Sequence, residues 1–185
     1  YTHFDEQADG YPGSSIDEIW NVELNGNLIE IAPDKEKMGK YLCIKPSYGS
    51  KGGPYIQQST VNPSDNYVVE GNFMLKNHKG CVPKLIILRN KDNKNIVLLS
   101  IDETGNLIDS NGRVLCEISE DRFYKFSAVI YRNESEYDVY INERCVGRGI
   151  KTSVDLSAGL NHWRIQASEI KKGCTTELFL DNLSI

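Results

Sequence analysis

Residues 126–142 read FSAVIYRNESEYDVYIN, and this stretch decides the fold class. Two runs rich in Val, Ile, Tyr and Phe flank four polar residues, 132–135, as the arms of an antiparallel hairpin flank its turn. On the second arm Tyr137, Val139 and Ile141 share one face while Asp138, Tyr140 and Asn142 share the other, because successive side chains of a strand point to opposite sides. The same pattern continues outward in YVVEGNFML (67–75), PKLIILRN (83–90), NIVLLSID (95–102) and HWRIQAS (162–168). Turn residues such as Asn25-Gly26, Gly52-Gly53-Pro54, Asn111-Gly112 and Gly173 separate these runs at intervals of roughly 8 to 15 residues, the spacing of an all-β sandwich or barrel. Amphipathic helical periodicity is missing. The one helix signal is Ser15 followed by Glu18, a capping box that predicts a short turn before Trp20.

Composition sets the outer limits. A chain of 185 residues is long enough to bury one full core without disulfides, so residues 1–185 read as a single sandwich. The five cysteines, at positions 43, 81, 116, 145 and 174, are odd in number and match no CxxC or Cys/His metal spacing. They read as small buried hydrophobes on strands such as YLCIK and RVLCEI. A net charge of -5 with no basic stripe argues against a nucleic-acid partner. No apolar run approaches the roughly 20 residues needed to cross a bilayer, which argues against membrane insertion as a helix.

Three segments together resemble a known family. FDEQADGYPG (4–13) with Trp20 downstream, the long middle stretch 105–142, and the closing WRIQASEIKKGCTTELFLDNLSI (163–185) look like concanavalin A-like, laminin G-like jelly rolls. The resemblance covers nearly the whole chain and rests on fold motifs, which binding modules, lyases and inert spacers share. It implies an antiparallel two-sheet jelly-roll β-sandwich, extracellular or at the cell surface, working beside other domains of the same chain. It also implies that the first and last strands lie side by side, so that the domain ends at its final strand as an insertable module. In similar carbohydrate-binding modules an acid near the first strand and an aspartate on the last hold a structural calcium ion. Here the matching positions are Asp5 or Glu6 and Asp181, with backbone carbonyls completing the oxygen shell. The alternative is that Asp181 and Asn182 satisfy local backbone groups.

A polysaccharide or oligosaccharide partner directs attention to the open face of a sheet. If Trp163, Ile165 and Ala167 enter the core, then His162, Arg164 and Gln166 form a row on the opposite face. Arg and Gln supply the planar donors and acceptors that sugar hydroxyls need. Arg89 joins the candidates, although alternation in PKLIILRN does not settle its face. The glycine-rich segment PSYGSKGGPYIQQS (46–59) adds Tyr48, Tyr55 and Gln57 as aromatic and amide contacts.

Two catalytic readings compete with simple binding. Jelly-roll lyases use Gln or Asn with Arg to neutralise a uronate carboxylate while His or Tyr removes a proton. The residue types are present, but the alginate-lyase strings QxH and YxxGxYxQ are not. Glu134, Glu136 and Asp138 alternate like the carboxylate ladder of laminarinase-type glycosidases, yet their order is wrong and Glu134 falls in the turn. They read as a solvated edge. The sequence therefore favours a non-catalytic carbohydrate-binding or accessory module, ahead of a lyase and ahead of a structural or protein-contacting module.

Overall fold

The computed structural model describes residues 4–5, 7, 9–16, 20–33, 39–49, 53–60, 64–167 and 172–185. These residues form strands and turns, with no helix among them. Strands are numbered in chain order. One antiparallel sheet has eight, in the spatial order β1 (Ser15–Ile16), β2 (Trp20–Glu23), β5 (Tyr55–Ser59), β14 (Leu160–Gln166), β7 (Lys84–Asn90), β8 (Asn95–Ile101), β9 (Asn106–Asp109) and β10 (Val114–Glu117). The other has seven: β13 (Arg144–Lys151), β12 (Glu136–Ile141), β11 (Tyr124–Tyr131), β6 (Asn66–Lys79), β15 (Thr175–Ser184), β4 (Lys40–Lys45) and β3 (Leu28–Pro33). The fold is a two-sheet jelly-roll sandwich of the concanavalin A-like kind.

Period-two patterning places the core between the sheets. Along β11, Phe126, Ala128 and Ile130 are fully buried while Ser127, Val129 and Tyr131 alternate outward. Phe126 meets Trp163 of β14 edge-on at 6.4 Å, and Trp163 meets Trp20 of β2 at 5.0 Å, so aromatic contacts join the two layers. The Trp163 indole N–H donates to the Leu85 carbonyl at 3.1 Å, which satisfies its one polar atom inside the core. Tyr137 of β12 does the same from the other sheet, donating its hydroxyl to the Leu98 carbonyl of β8 at 2.8 Å. No disulfide joins any of the cysteines. Burial pushes the Cys43 thiol up to about 12, as for an inert core residue.

Several expectations need correction. The first and last strands are not neighbours: β1 and β2 lie at the end of the eight-stranded sheet, whereas β15 runs between β6 and β4 in the other. Ser15–Ile16 form β1, whose Ile16 pairs with Trp20, while the rest of the expected turn, Glu18 included, lies outside the described residues. The acid–amide pair at the end of the chain forms a bulge. The β15–β6 register shifts between Asp181 and Ser184, and Asn182 takes a φ of 53°, a left-handed conformation that Asn tolerates. Its amide N–H and side-chain Nδ2 donate to the Asp181 carboxylate at 2.8 and 3.0 Å. The bulge accounts for two polar residues in mid-strand.

Candidate functional site

Trp163, Ile165 and Ala167 are fully buried in the core, so β14 presents His162, Arg164 and Gln166 on the outer face of the eight-stranded sheet. Cross-strand register then assembles their neighbours. On β5, Ser59 lies opposite His162, Gln57 opposite Arg164 and Tyr55 opposite Gln166. On β7, Arg89 lies opposite His162 and Ile87 opposite Arg164. One strand further out, Asn21 and Glu23 of β2 lie opposite Gln57 and Tyr55. Six of the residues singled out from sequence, His162, Arg164, Gln166, Arg89, Tyr55 and Gln57, therefore share one surface.

The face of Arg89 was ambiguous in sequence because β7 is irregular. Its pairing with β8 shifts register on either side of Ile86. Leu85, Ile86 and Leu88 all enter the core, and Ile87 and Arg89 go outward. A bulge breaks the strict alternation on which a sequence argument depends.

Arg164 is held on two sides. Its Nε and Nη2 donate to the Gln57 Oε1 at 3.1 and 2.7 Å, and its guanidinium carbon lies 4.0 Å from the centroid of the Tyr55 ring. A planar cation stacked on an aromatic face and tied to an amide has lost most of its rotamer freedom. One side of the Tyr55 ring is thereby occupied, so Tyr55 acts here as the support of Arg164. Gln166 donates its amide to the Gly53 carbonyl at 3.4 Å, anchoring the loop before β5.

His162 and Arg89 are different. His162 is 6% exposed, and its Nε2 is enclosed without a hydrogen-bond partner, as is the Arg89 Nε. Burial, then the positive charges of Arg164 and Arg89, lower the His162 pKa to about 4, so the ring is neutral near pH 7.

The remaining candidates lie elsewhere. Tyr48 is exposed in the wall of a separate cavity of about 600 Å³ beside Lys45, Asn77 and Cys174–Glu177, away from the Arg164 surface. Asp5 and Asp181 line one cavity of about 330 Å³ with Asn72 and Asn182. Glu6 lies outside the described residues. The Asp5 Oδ1 accepts the Lys40 amide at 2.8 Å. The side chains there offer carboxylate and amide oxygens, the donor type that suits calcium. No group of three or more His, Cys, Asp or Glu among the described residues is placed to hold a metal ion.

The carboxylate ladder is occupied structurally. Glu136 pairs with Lys151 at 2.7 Å, and Asp138, 6% exposed, accepts from the Gly149 amide at 2.7 Å and the Tyr131 hydroxyl at 3.3 Å. Both stand on β12, in the sheet opposite the one that carries Arg164.

No family model and no curated protein matches the sequence. Solved structures do match by shape. A sialidase superposes with a TM-score of 0.74 at 13% identity, over 99% of this chain but 18% of its own length, so the present chain spans under a fifth of that protein. A family 7 alginate lyase with bound product gives a TM-score of 0.61 at 14% identity, covering 96% of this chain and 98% of the lyase. A family 16 enzyme from the mixed-linkage glucan locus of Bacteroides ovatus gives 0.56 at 11% identity, covering 93% and 97%. At these identities the likeness establishes the concanavalin A-like jelly roll.

Proposed function

We propose that this domain is a non-catalytic carbohydrate-binding or accessory module of a secreted or surface-displayed polysaccharide-processing protein, and that its glycan lies on the outer face of the eight-stranded sheet. The observation that carries this reading is the preset Arg164. Stacked on Tyr55 and held by Gln57, it keeps further N–H groups of its fork uncommitted among the described residues, at a part-buried surface. A donor already ordered loses little entropy on meeting a sugar hydroxyl or carboxylate. The fold is also that of proteins named for their action on polysaccharides, which supports a glycan partner.

A jelly-roll lyase acting on a uronate-containing glycan is the competing reading. Elimination needs a base that touches the substrate, yet the His162 Nε2 is sealed beneath the surface. Binding without turnover fits that arrangement better. A calcium ion between Asp5 and Asp181 belongs to the same proposal as a structural element distant from the glycan face.

The test is retention on a glycan array, paired with ultraviolet absorbance during incubation with alginate, glucuronan and glycosaminoglycans. Retention with no rise in absorbance supports the module. A rise that disappears in His162→Ala would replace it with a lyase, and silence in both assays would remove a glycan function from this face.

A further inference from the structure

Among the described residues, the Arg164 surface carries positive charge that no ion pair answers. His162 lies between two guanidiniums: Arg164 is two residues along the same strand, and Arg89 is its direct partner on β7. Lys84, opposite Gln166 on β7, adds a third cation. Among the described residues registered directly beside this row on β2, β5 and β7, the acid is Glu23, opposite Tyr55. Ion pairs join other basic residues to acids throughout the molecule, such as Lys45 with Glu30 and Arg132 with Asp65, but none within 4.0 Å includes Arg89, Arg164 or Lys84 among the described residues. Arg89 goes further, since its Nε is enclosed without a hydrogen-bond partner.

In a chain of net charge -5, acids are plentiful enough to pair every arginine. Two guanidiniums placed as diagonal neighbours, with a neutral imidazole between them in place of a carboxylate, repel each other in the free protein. That repulsion and the unmet N–H groups both disappear when an oxyanion arrives, because planar forks match a planar or tetrahedral oxyanion with short, charge-assisted bonds. We infer that the ligand of this face is an anionic glycan, one bearing uronate carboxylates or sulfate esters, with Arg89 and Arg164 as the donors that recognise the charged substituent. This inference rests on the glycan-binding reading above and narrows it to a class.

Affinity electrophoresis of the intact domain tests both levels separately. The gels carry polygalacturonate for carboxylate, dextran sulfate for sulfate, and laminarin or dextran as neutral polymers, and a single-stranded oligothymidine serves as a polyanion that is not a glycan. The expected result is retention by one or both anionic glycans, with affinity falling at least about tenfold in Arg89→Gln and falling steeply as salt rises. Arg89→Lys should give an intermediate loss, because charge remains and the fork does not. Lys125→Gln, a basic change on the other sheet, should leave retention unchanged. Melting curves establish that each variant is folded, and the salt dependence of the unmodified domain stands independently of them. Equal retention by neutral glycans, equal retention of oligothymidine, or no response to Arg89→Gln would overturn the anionic class while leaving glycan binding in place for the first and last outcomes. Retention by none of the polymers would overturn both levels.

Discussion

Arg164 has a defined structural cost of removal. Had it been buried against Asp138 or Asp181, truncation would strand a charge and destabilise by about 3–5 kcal/mol. Both acids belong to the other sheet, and Arg164 is held by a neutral amide and a ring. Arg164→Ala should therefore cost stability about 1–2 kcal/mol while weakening glycan retention at least tenfold, read by melting and by affinity electrophoresis. A much earlier melt with normal binding would make the residue purely structural. His162 offers a pH test with a fixed sign. Its folded pKa of about 4 lies below the ordinary 6.5, so the native state holds the neutral ring. Above pH 6.5 the difference contributes nothing. As pH falls from 6.5 through 4 the unfolded chain takes up a proton that the folded chain resists, and stability drops by at most about 3 kcal/mol. His162→Gln should therefore flatten this part of the profile in denaturant titrations. Parallel profiles for the two proteins would reject the assignment.

Turn chemistry decides element joins, and one join escaped sequence reading. Asn142 and Glu143, both at positive φ (47° and 68°), make the two-residue turn between β12 and β13, where Ile141 pairs with Arg144. Such turns favour Asn-Gly, and Asn-Glu carries no Gly to mark it. Glu143→Gly should relieve the left-handed strain and raise stability by up to about 1 kcal/mol, seen as a higher denaturant midpoint at unchanged slope. A lower midpoint would mean that the glutamate side chain stabilises the turn. The bulge in β7 acts at the same scale: by breaking alternation at Ile86 it turns Arg89 outward beside His162. Neither device has a strong sequence signal, since each depends on a partner strand.

Across the whole molecule, the described residues before β1 come back towards the last strand without pairing with it. Asp5 caps the Lys40 amide at the start of β4, and Gly10 bridges Ile31 of β3, so the segment lies against the edge of the seven-stranded sheet near Asp181. A calcium ion there would tie the segment to β15. Excess chelator should then lower the melting temperature by several degrees, because a ligand bound only by the native state stabilises with the logarithm of its saturation. Unchanged melting in chelator, with no calcium found by elemental analysis, would leave the Asp181–Asn182 bulge as the full explanation of those two residues.

The sequence by itself determined the all-β class, the inward-facing row of Trp163, Ile165 and Ala167, and hence the outward row of His162, Arg164 and Gln166. Those conclusions need one strand at a time, because the alternation of side chains is a local property of extended backbone. Tertiary structure alone decided which strands lie beside that row: β5 brings Gln57 and Tyr55 to Arg164, and β7 brings Arg89 to His162 across gaps of 73 to 109 positions in the chain. It also separated Tyr48 from the surface and sent the first and last strands to different sheets. Strand order and register are set by how two whole sheets bury their apolar faces against each other, and no single segment carries that information.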